Sequence, residues 1–345
     1  MMKAAVLEGV KKITIKDVKV PELQDGQIEI KVSAVGVCGS DVHLWKQGKG
    51  WNPNQKDDFI MGHEFCGAVT KTKSDKFNIG DRVTFWANLY CGECDMCKQG
   101  LEHLCREVNG TNYIGFVCNG AYSEYFVGDA KRAYKLPDNV SDIQAALIDP
   151  LMVAYHAVRK SEIKLNQKVL IIGAGIIGQM MAYLVKQAGA TYIATTFVND
   201  LKIQKAKEIG DFDEYFDGRK ENIAEQLRNK TNGGFDIVFE AVGLDSTLDL
   251  AINSVKPGGK VVVIGNSITP TVQFNMNKLV LNEVQLIGSV SCTRVEFVET
   301  IDLISKGIIN PENYVTDILP LDELQTAFER LTNENDSALK MVVKP

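Results

Sequence analysis

Lys168-Val-Leu-Ile-Ile-Gly-Ala-Gly-Ile-Ile-Gly178 decides the fold of the middle of the chain. Val169 to Ile172 is an uninterrupted apolar run of strand length. Gly173-Ala174-Gly175-Ile176-Ile177-Gly178 follows, and an apolar helix pattern runs on to Ala188. In a strand–loop–helix of this kind the first glycine makes the tight turn. The second lets backbone approach a pyrophosphate, and the third permits close helix–strand packing. The N-terminus of the helix offers N–H donors and partial positive charge to an anion. The strand before and the helix after supply the context that the glycine spacing alone lacks.

The pattern continues outward from this loop. Tyr192 to Phe197 reads as a strand, Lys202 to Ile209 as a polar helix, and Phe235 to Glu240 and Lys260 to Gly265 as further strands. Strand and helix alternating at this spacing predict a doubly wound parallel sheet of the Rossmann type. A helical stretch from about Leu151 to Arg159 precedes it. Before Asp149-Pro150 the chain is different. Ile28, Ile30 and Val32 alternate with Glu29 and Lys31, a half-buried strand, and glycines at 36, 39, 62, 67, 80 and 120 cut the region into short segments. This predicts a β-rich module of barrel type. From about Cys292 the pattern is again less regular.

A chain of 345 residues has room for two domains. Its formal net charge of -6 argues against nucleic acid or an anionic membrane as a partner. No apolar run approaches the ~18 residues that span a bilayer, and Met1 to Lys12 has no signal-peptide core, so a cytoplasmic location is expected. A reducing compartment keeps thiols free, and the eight cysteines need an explanation other than disulfides.

Four of them provide one. Cys91-x2-Cys94-x2-Cys97-x7-Cys105 lets one tight loop deliver thiolates around a single Zn2+, the closed shell of a structural site. Gly92 and Gly100 ease the turns. A four-iron cluster is the rival reading, since it too takes four cysteines. A second constellation lies nearby: Cys38-Gly39-Ser40-Asp41-Val42-His43 and Gly62-His63-Glu64. Together they offer a thiolate, an imidazole and a carboxylate, a ligand set suited to zinc. Asp149 is a further candidate ligand, or else a helix cap. A catalytic zinc needs an exchangeable position, hence three protein ligands plus water or substrate.

With these motifs in order, the chain resembles the zinc-containing medium-chain dehydrogenase/reductase family, in its sorbitol, butanediol and alcohol dehydrogenase branch. The resemblance also covers Gly120-Ala-Tyr-Ser-Glu-Tyr125 and Ala146-Leu-Ile-Asp-Pro-Leu151. It implies a GroES-like β-rich catalytic domain over residues 1–152 and 292–345 and a Rossmann domain over 153–291, with the substrate between them. It implies two zinc ions per chain: a catalytic one on Cys38 and His63, with Glu64 a direct or intermittent ligand and Asp149 binding directly or through water, and a structural one on Cys91, Cys94, Cys97 and Cys105. Asp41 would orient His63. The metal would polarise the substrate oxygen, hydride would pass between the alcohol carbon and a nicotinamide, Ser40 would take the proton and His43 would hand it towards solvent. Read without that context, Ser40 is a turn cap and His43 a surface residue. His103, His156, Cys66, Cys118 and Cys292 are read as structural.

Cofactor binding is expected at Gly173, Gly175, Ile176, Ile177 and Gly178, and at the turns that carry Gly243 and Gly265. NAD-specific relatives carry an Asp where this chain has Phe197, with Asn199 and Lys202 following. No acid opposes a 2′-phosphate there and no arginine welcomes one, so NAD and NADP are both compatible, with a lean to NADP. Trp45, Trp51, Phe59 and Phe116 are candidates to line a substrate pocket. Where sorbitol dehydrogenases carry an arginine, this chain has Ser291, with Arg294 three residues on. The expected substrate is a small secondary alcohol, diol or polyol and its ketone, and the expected assembly a homodimer or homotetramer. The rivals are a zinc-free enone or quinone reductase and a non-catalytic nucleotide-binding protein on the same scaffold.

Overall fold

The structure is a computed structural model and describes residues 1–50, 58–107, 113–266, 271–333 and 335–345; Trp51 lies outside them. The chain divides into two compact units, Met1–Pro150 with Thr293–Pro345, and Leu151–Cys292.

The first unit is β-rich. Among the described residues its larger sheet orders the strands Asp317–Pro320, Met341–Lys344, Gln27–Gly36, Glu64–Thr72, Arg82–Phe85 and Ala133–Lys135. Tyr125–Asp129 adds to it by pairing with Gln27–Gly36. A second sheet joins Lys12–Val18, Met2–Gly9 and Phe59–Ile60. The core is aromatic at its centre. Phe65, Phe85 and Phe126 are buried, with ring centroids 4.7 to 5.3 Å apart. The alternation in Gln27–Gly36 holds for Ile28, Ile30 and Val32, which are buried. It fails at Glu29, which is buried too, because the neighbouring strand pays for the charge: Thr70 Oγ1 and Lys71 Nζ donate to its carboxylate at 2.8 and 2.9 Å.

This sheet positions a site through its register. Gly36 stands opposite Glu64, so the end of one strand meets the beginning of the next. The register also slips at two bulges, between Glu29 and Ile30 and between Val32 and Ala34, a device that re-aims side chains beside a site. Position 36 must be glycine, since a Cβ there would fall 2.1 Å from Glu64 Oε2.

Among the described residues the second unit holds a six-stranded parallel sheet in the order Glu214–Asp217, Tyr192–Phe197, Lys168–Ile172, Phe235–Glu240, Val255–Val263, Gln285–Gly288. Numbered along the unit this is 3-2-1-4-5-6, the Rossmann order, and its ligand crevice lies outside the carboxyl ends of the first and fourth strands, where the order reverses. The glycine loop sits at that end. Gly173 has φ 107°, Gly175 caps the helix Ile176–Gln187, and a Cβ on Gly178 would lie 2.0 Å from Gly173 O. The helix expected from Leu151 runs from Ile148 to Ser161 and takes Asp149 into its first turn. Pro150 does not stop it, because first-turn amides have no intrahelical acceptor. No helix among the described residues is long and apolar enough to cross a membrane.

Candidate active site

Cys38, His63 and Glu64 each present a ligand atom, and the three atoms lie within 4.8 Å of one another. Cys38 is the N-cap of the helix Gly39–Gln47, two residues past the end of Gln27–Gly36. Glu64 opens its own strand and His63 immediately precedes it. Gly62 makes the approach possible, with φ 96° and the Tyr122 ring 2.9 Å from where a Cβ would stand.

Each charge in this buried cluster has a counterweight. Asp41, at the third position of the helix, has one carboxylate oxygen 3.2 Å from His63 Nδ1. Both atoms are buried, and neither has a hydrogen-bond partner among the described residues, so the contact between them is an ion-pair approach. The other Asp41 oxygen accepts from Tyr122 Oη at 2.7 Å and from the Cys38 amide at 3.4 Å. With Nδ1 facing Asp41, the His63 Nε2 is the atom left to bind a metal. Burial opposes a charge on His63, but Asp41 and Cys38 overcome it, and the imidazole titrates well above its ordinary value. Glu64 pairs with Lys340 Nζ, which also donates to Val37 O at 2.9 Å; both side chains are 1% exposed. Nothing local in the sequence marks Lys340 for this task, for it stands immediately before the last strand, Met341–Lys344.

Asp149 is not one of the three converging groups. It is half-buried, and burial, reinforced by Glu64, pushes its carboxyl up to about 7. Ser40 Oγ donates to Cys38 Sγ at 3.0 Å. His43 lies three positions further along the same helix and is exposed, its imidazole held below its ordinary value by partial burial and by Lys46. Of the aromatic candidates, Phe116 sets its edge against the His63 ring at 5.0 Å. Trp45 and Phe59 belong to the core; Trp45 packs on Phe328 and donates to Gln325.

Cys91, Cys94, Cys97 and Cys105 form a second cluster that could hold a metal ion. Their sulfurs are 3.5 Å (Cys105–Cys91), 3.6 Å (Cys94–Cys97), 3.8 Å (Cys91–Cys97) and 3.9 Å (Cys94–Cys105) apart. Tetrahedral zinc with bonds of ~2.3 Å requires sulfur–sulfur edges of about 3.8 Å, so the cage fits the ion. The Glu93 and Cys94 amides point at Cys91 Sγ, both at 3.3 Å. Backbone donors from Cys97 and Arg106 hold the Cys94 thiol down to about 6, in the range where it sheds its proton to a metal. Arg294 is committed to this lobe: its Nε lies 3.2 Å from the buried Glu102 carboxylate. Ser291 is buried with φ 51°.

In the parallel-sheet unit, Gly243 and Gly265 bring two turns into backbone contact. A Cβ on Gly265 would lie 2.2 Å from Gly243 N. Glu240, not singled out by the motifs, fixes this junction. Its Oε1 accepts from Val242 N, Gly243 N and Thr247 Oγ1 at 2.8 to 2.9 Å. Phe197 ends its strand, and Asn199 caps the next helix by accepting from Lys202 N at 2.9 Å.

Comparison with known proteins agrees with this chemistry. Residues 24–138 match the alcohol dehydrogenase GroES-like domain, and residues 177–306 match the zinc-binding dehydrogenase family. The chain is 31% identical to sorbitol dehydrogenase of Bacillus subtilis across all of this chain and 97% of that protein. It is also 31% identical to D-arabitol-phosphate dehydrogenase of Enterococcus avium, across 98% and 96%. The chain is a zinc-type medium-chain dehydrogenase/reductase. Solved structures of the family superimpose on it throughout: 2R,3R-butanediol dehydrogenase from Bacillus subtilis, with TM-score 0.88, 29% identity and complete coverage of both chains, and a Sinorhizobium meliloti protein titled as a zinc-binding dehydrogenase bound to NADP, with TM-score 0.90, 29% identity and coverage of 100% and 99%.

Two predictions follow from the charge balance of this dehydrogenase's buried cluster. Lys340→Met leaves Glu64 without its counter-ion and should destabilise the metal-free protein by about 3–5 kcal/mol, read as a lower urea midpoint; a loss typical of an exposed pair, about 0–1 kcal/mol, contradicts the assignment. In metal-free protein Asp149 and His63 both hold protons that the unfolded chain has released. The Asp149 contribution falls as pH rises from about 4 to 7, and that of His63 is lost above its ordinary pKa of ~6.5. The melting temperature of chelator-stripped protein should therefore fall from pH 5 to 8, while zinc affinity rises, because the metal displaces those protons. A metal-free protein that gains stability over that range contradicts the prediction.

Proposed function

We propose that this enzyme interconverts a small secondary alcohol, diol or polyol and its ketone by hydride transfer with NAD(P), using one catalytic and one structural zinc per chain. The observation that carries the proposal is the convergence of Cys38, His63 and Glu64. We assign these three as catalytic ligands, Asp149 as a further ligand, direct or through water, and Cys91, Cys94, Cys97 and Cys105 as the structural shell. When bound, the catalytic zinc supplies a Lewis acid that polarises the substrate oxygen and lowers the pKa of its hydroxyl.

The chain's own groups do the rest. Asp41 holds the His63 ring by Nδ1, and Tyr122 holds Asp41. Ser40 Oγ stands 3.0 Å from the Cys38 sulfur, placed to take the hydroxyl proton. His43 follows at i+3, a spacing that puts two helix residues on one face. Its lowered pKa keeps it neutral near pH 7 and able to accept the proton from Ser40. Gly173, Gly175, Ile176, Ile177 and Gly178 receive the cofactor pyrophosphate at the helix N-terminus, and the Gly243 and Gly265 turns line the cofactor beyond it.

The polyol and diol relatives support the substrate class. Arg294 is tied to Glu102, so we assign it no substrate contact, and the range extends to short secondary alcohols. Four thiolates in one shell persist where thiols stay reduced, which supports a cytoplasmic location. We also propose a homodimer or homotetramer in which the sheet edge Gln285–Gly288 meets a second copy. Among the described residues this strand has a sheet neighbour on one side only, and Leu286 in it and Met276, Val280 and Leu281 of the preceding helix are exposed, a template for a second copy.

Metal analysis of purified protein should give two zinc per chain, and a panel of diols, polyols and ketones should reveal cofactor turnover. Ser40→Ala should lower turnover by about 10²–10⁴-fold, the span of a lost proton-transfer group, with zinc content unchanged. Full turnover in that variant ends the relay assignment.

A further inference from the structure

Phe197 leaves the strand end where this fold reads the adenosine ribose without an acid. The neighbouring strand brings a cation to that end. Phe197 stands in register with Asp217, and Gly218 N donates to Phe197 O at 2.8 Å. The chain therefore turns over the end of Tyr192–Phe197 just before Arg219. A Cβ on Gly218 would touch Val198 Cγ1 at 3.5 Å, so the two loops are packed on each other.

Arg219 bridges these loops with its guanidinium. Its Nε and Nη2 donate to the two oxygens of Asp217 at 2.8 and 2.9 Å. Its Nη1 and Nη2 donate to Asp200, at the start of the next helix, at 3.1 and 2.9 Å. The two carboxylates are not equivalent. Asp217 is one-quarter exposed, is held down to about 2 by Arg219, and also accepts the Arg219 amide at 3.0 Å. Asp200 is two-thirds exposed, and Arg219 is its ionic partner. Asp217 anchors the guanidinium from behind. Asp200 occupies the face that would be left with a parallel pair of N–H donors, the geometry that binds a phosphate bidentately. An exposed carboxylate pair is held weakly, and a dianionic phosphate competes for the same fork.

We propose that Arg219 is the residue that reads the 2′ position of the cofactor: the 2′-phosphate of NADP displaces Asp200 from the guanidinium while Asp217 keeps the fork in place. The 2′-hydroxyl of NAD carries no charge with which to make that exchange, so the enzyme prefers NADP. The proposal rests on the dehydrogenase reading for its relevance, and its test is independent of turnover.

Equilibrium binding of NADP+ and NAD+ to the full-length, zinc-loaded protein, titrated calorimetrically without substrate, tests it. Arg219→Ala should weaken NADP+ binding at least tenfold and change NAD+ binding less than twofold. Asp200→Asn removes the competitor and should tighten NADP+ several-fold, again with NAD+ unchanged. Weakening of both cofactors alike by Arg219→Ala, no effect on either, or weaker NADP+ binding in Asp200→Asn overturns the proposal. If these binding ratios hold but no alcohol drives reduction of either cofactor, the dehydrogenase reading fails and the Arg219 assignment stands.

Discussion

A thiolate, an imidazole and a carboxylate can share one buried place only if their charges are balanced, and the first unit is organised around that constraint. Cys38, His63 and Glu64 converge there. A buried charge without a partner is costly enough to change protonation instead, and here each is answered. Lys340 faces Glu64, Asp41 faces His63, and Tyr122 fixes Asp41 from the far side. Protons do part of the balancing in the metal-free state, which is why His63 and Asp149 both titrate upward. A divalent ion would take over that role.

The two clusters that could each hold a metal are opposites in construction, and the difference follows from how each is encoded. The cysteine shell is local: the span from Cys91 to Arg106 contains all four cysteines and the amides that steady them. Its sulfurs already stand near the edges of a tetrahedron. The Cys38 site is assembled by sheet register, with two strand ends and a helix cap meeting at Gly36 and Glu64. A closed shell stabilises; a three-ligand site leaves room for a substrate.

The same distinction separates what could be read in the sequence from what could not. Spacing encodes geometry where the partners are neighbours in the chain. That is why the cysteine run, the glycine loop and the parallel strands from Lys168 to Glu240 were legible. Lys340 was not, since it meets Glu64 across 276 positions and only the pairing of the last strand brings it there. Glu29 looked like a surface residue because alternation cannot foresee the Thr70 and Lys71 donors of the adjoining strand. No arginine stands at Phe197 itself; Arg219, just past the strand in register with it, is brought to that end only by the sheet, which the sequence order does not reveal. Arg294, three residues after Ser291, reaches the cysteine lobe, a partner that its place in the sequence does not announce.

Zinc X-ray absorption on the loaded enzyme addresses the central claim, that Cys38, His63 and Glu64 form one mixed-ligand centre distinct from the four-sulfur cage. The account predicts a sulfur shell at ~2.3 Å together with a nitrogen or oxygen shell at ~2.0–2.1 Å, and in His63→Ala a marked loss of the second with the first retained. A wild-type spectrum of sulfur alone, or a nitrogen and oxygen shell untouched by removal of His63, would contradict it.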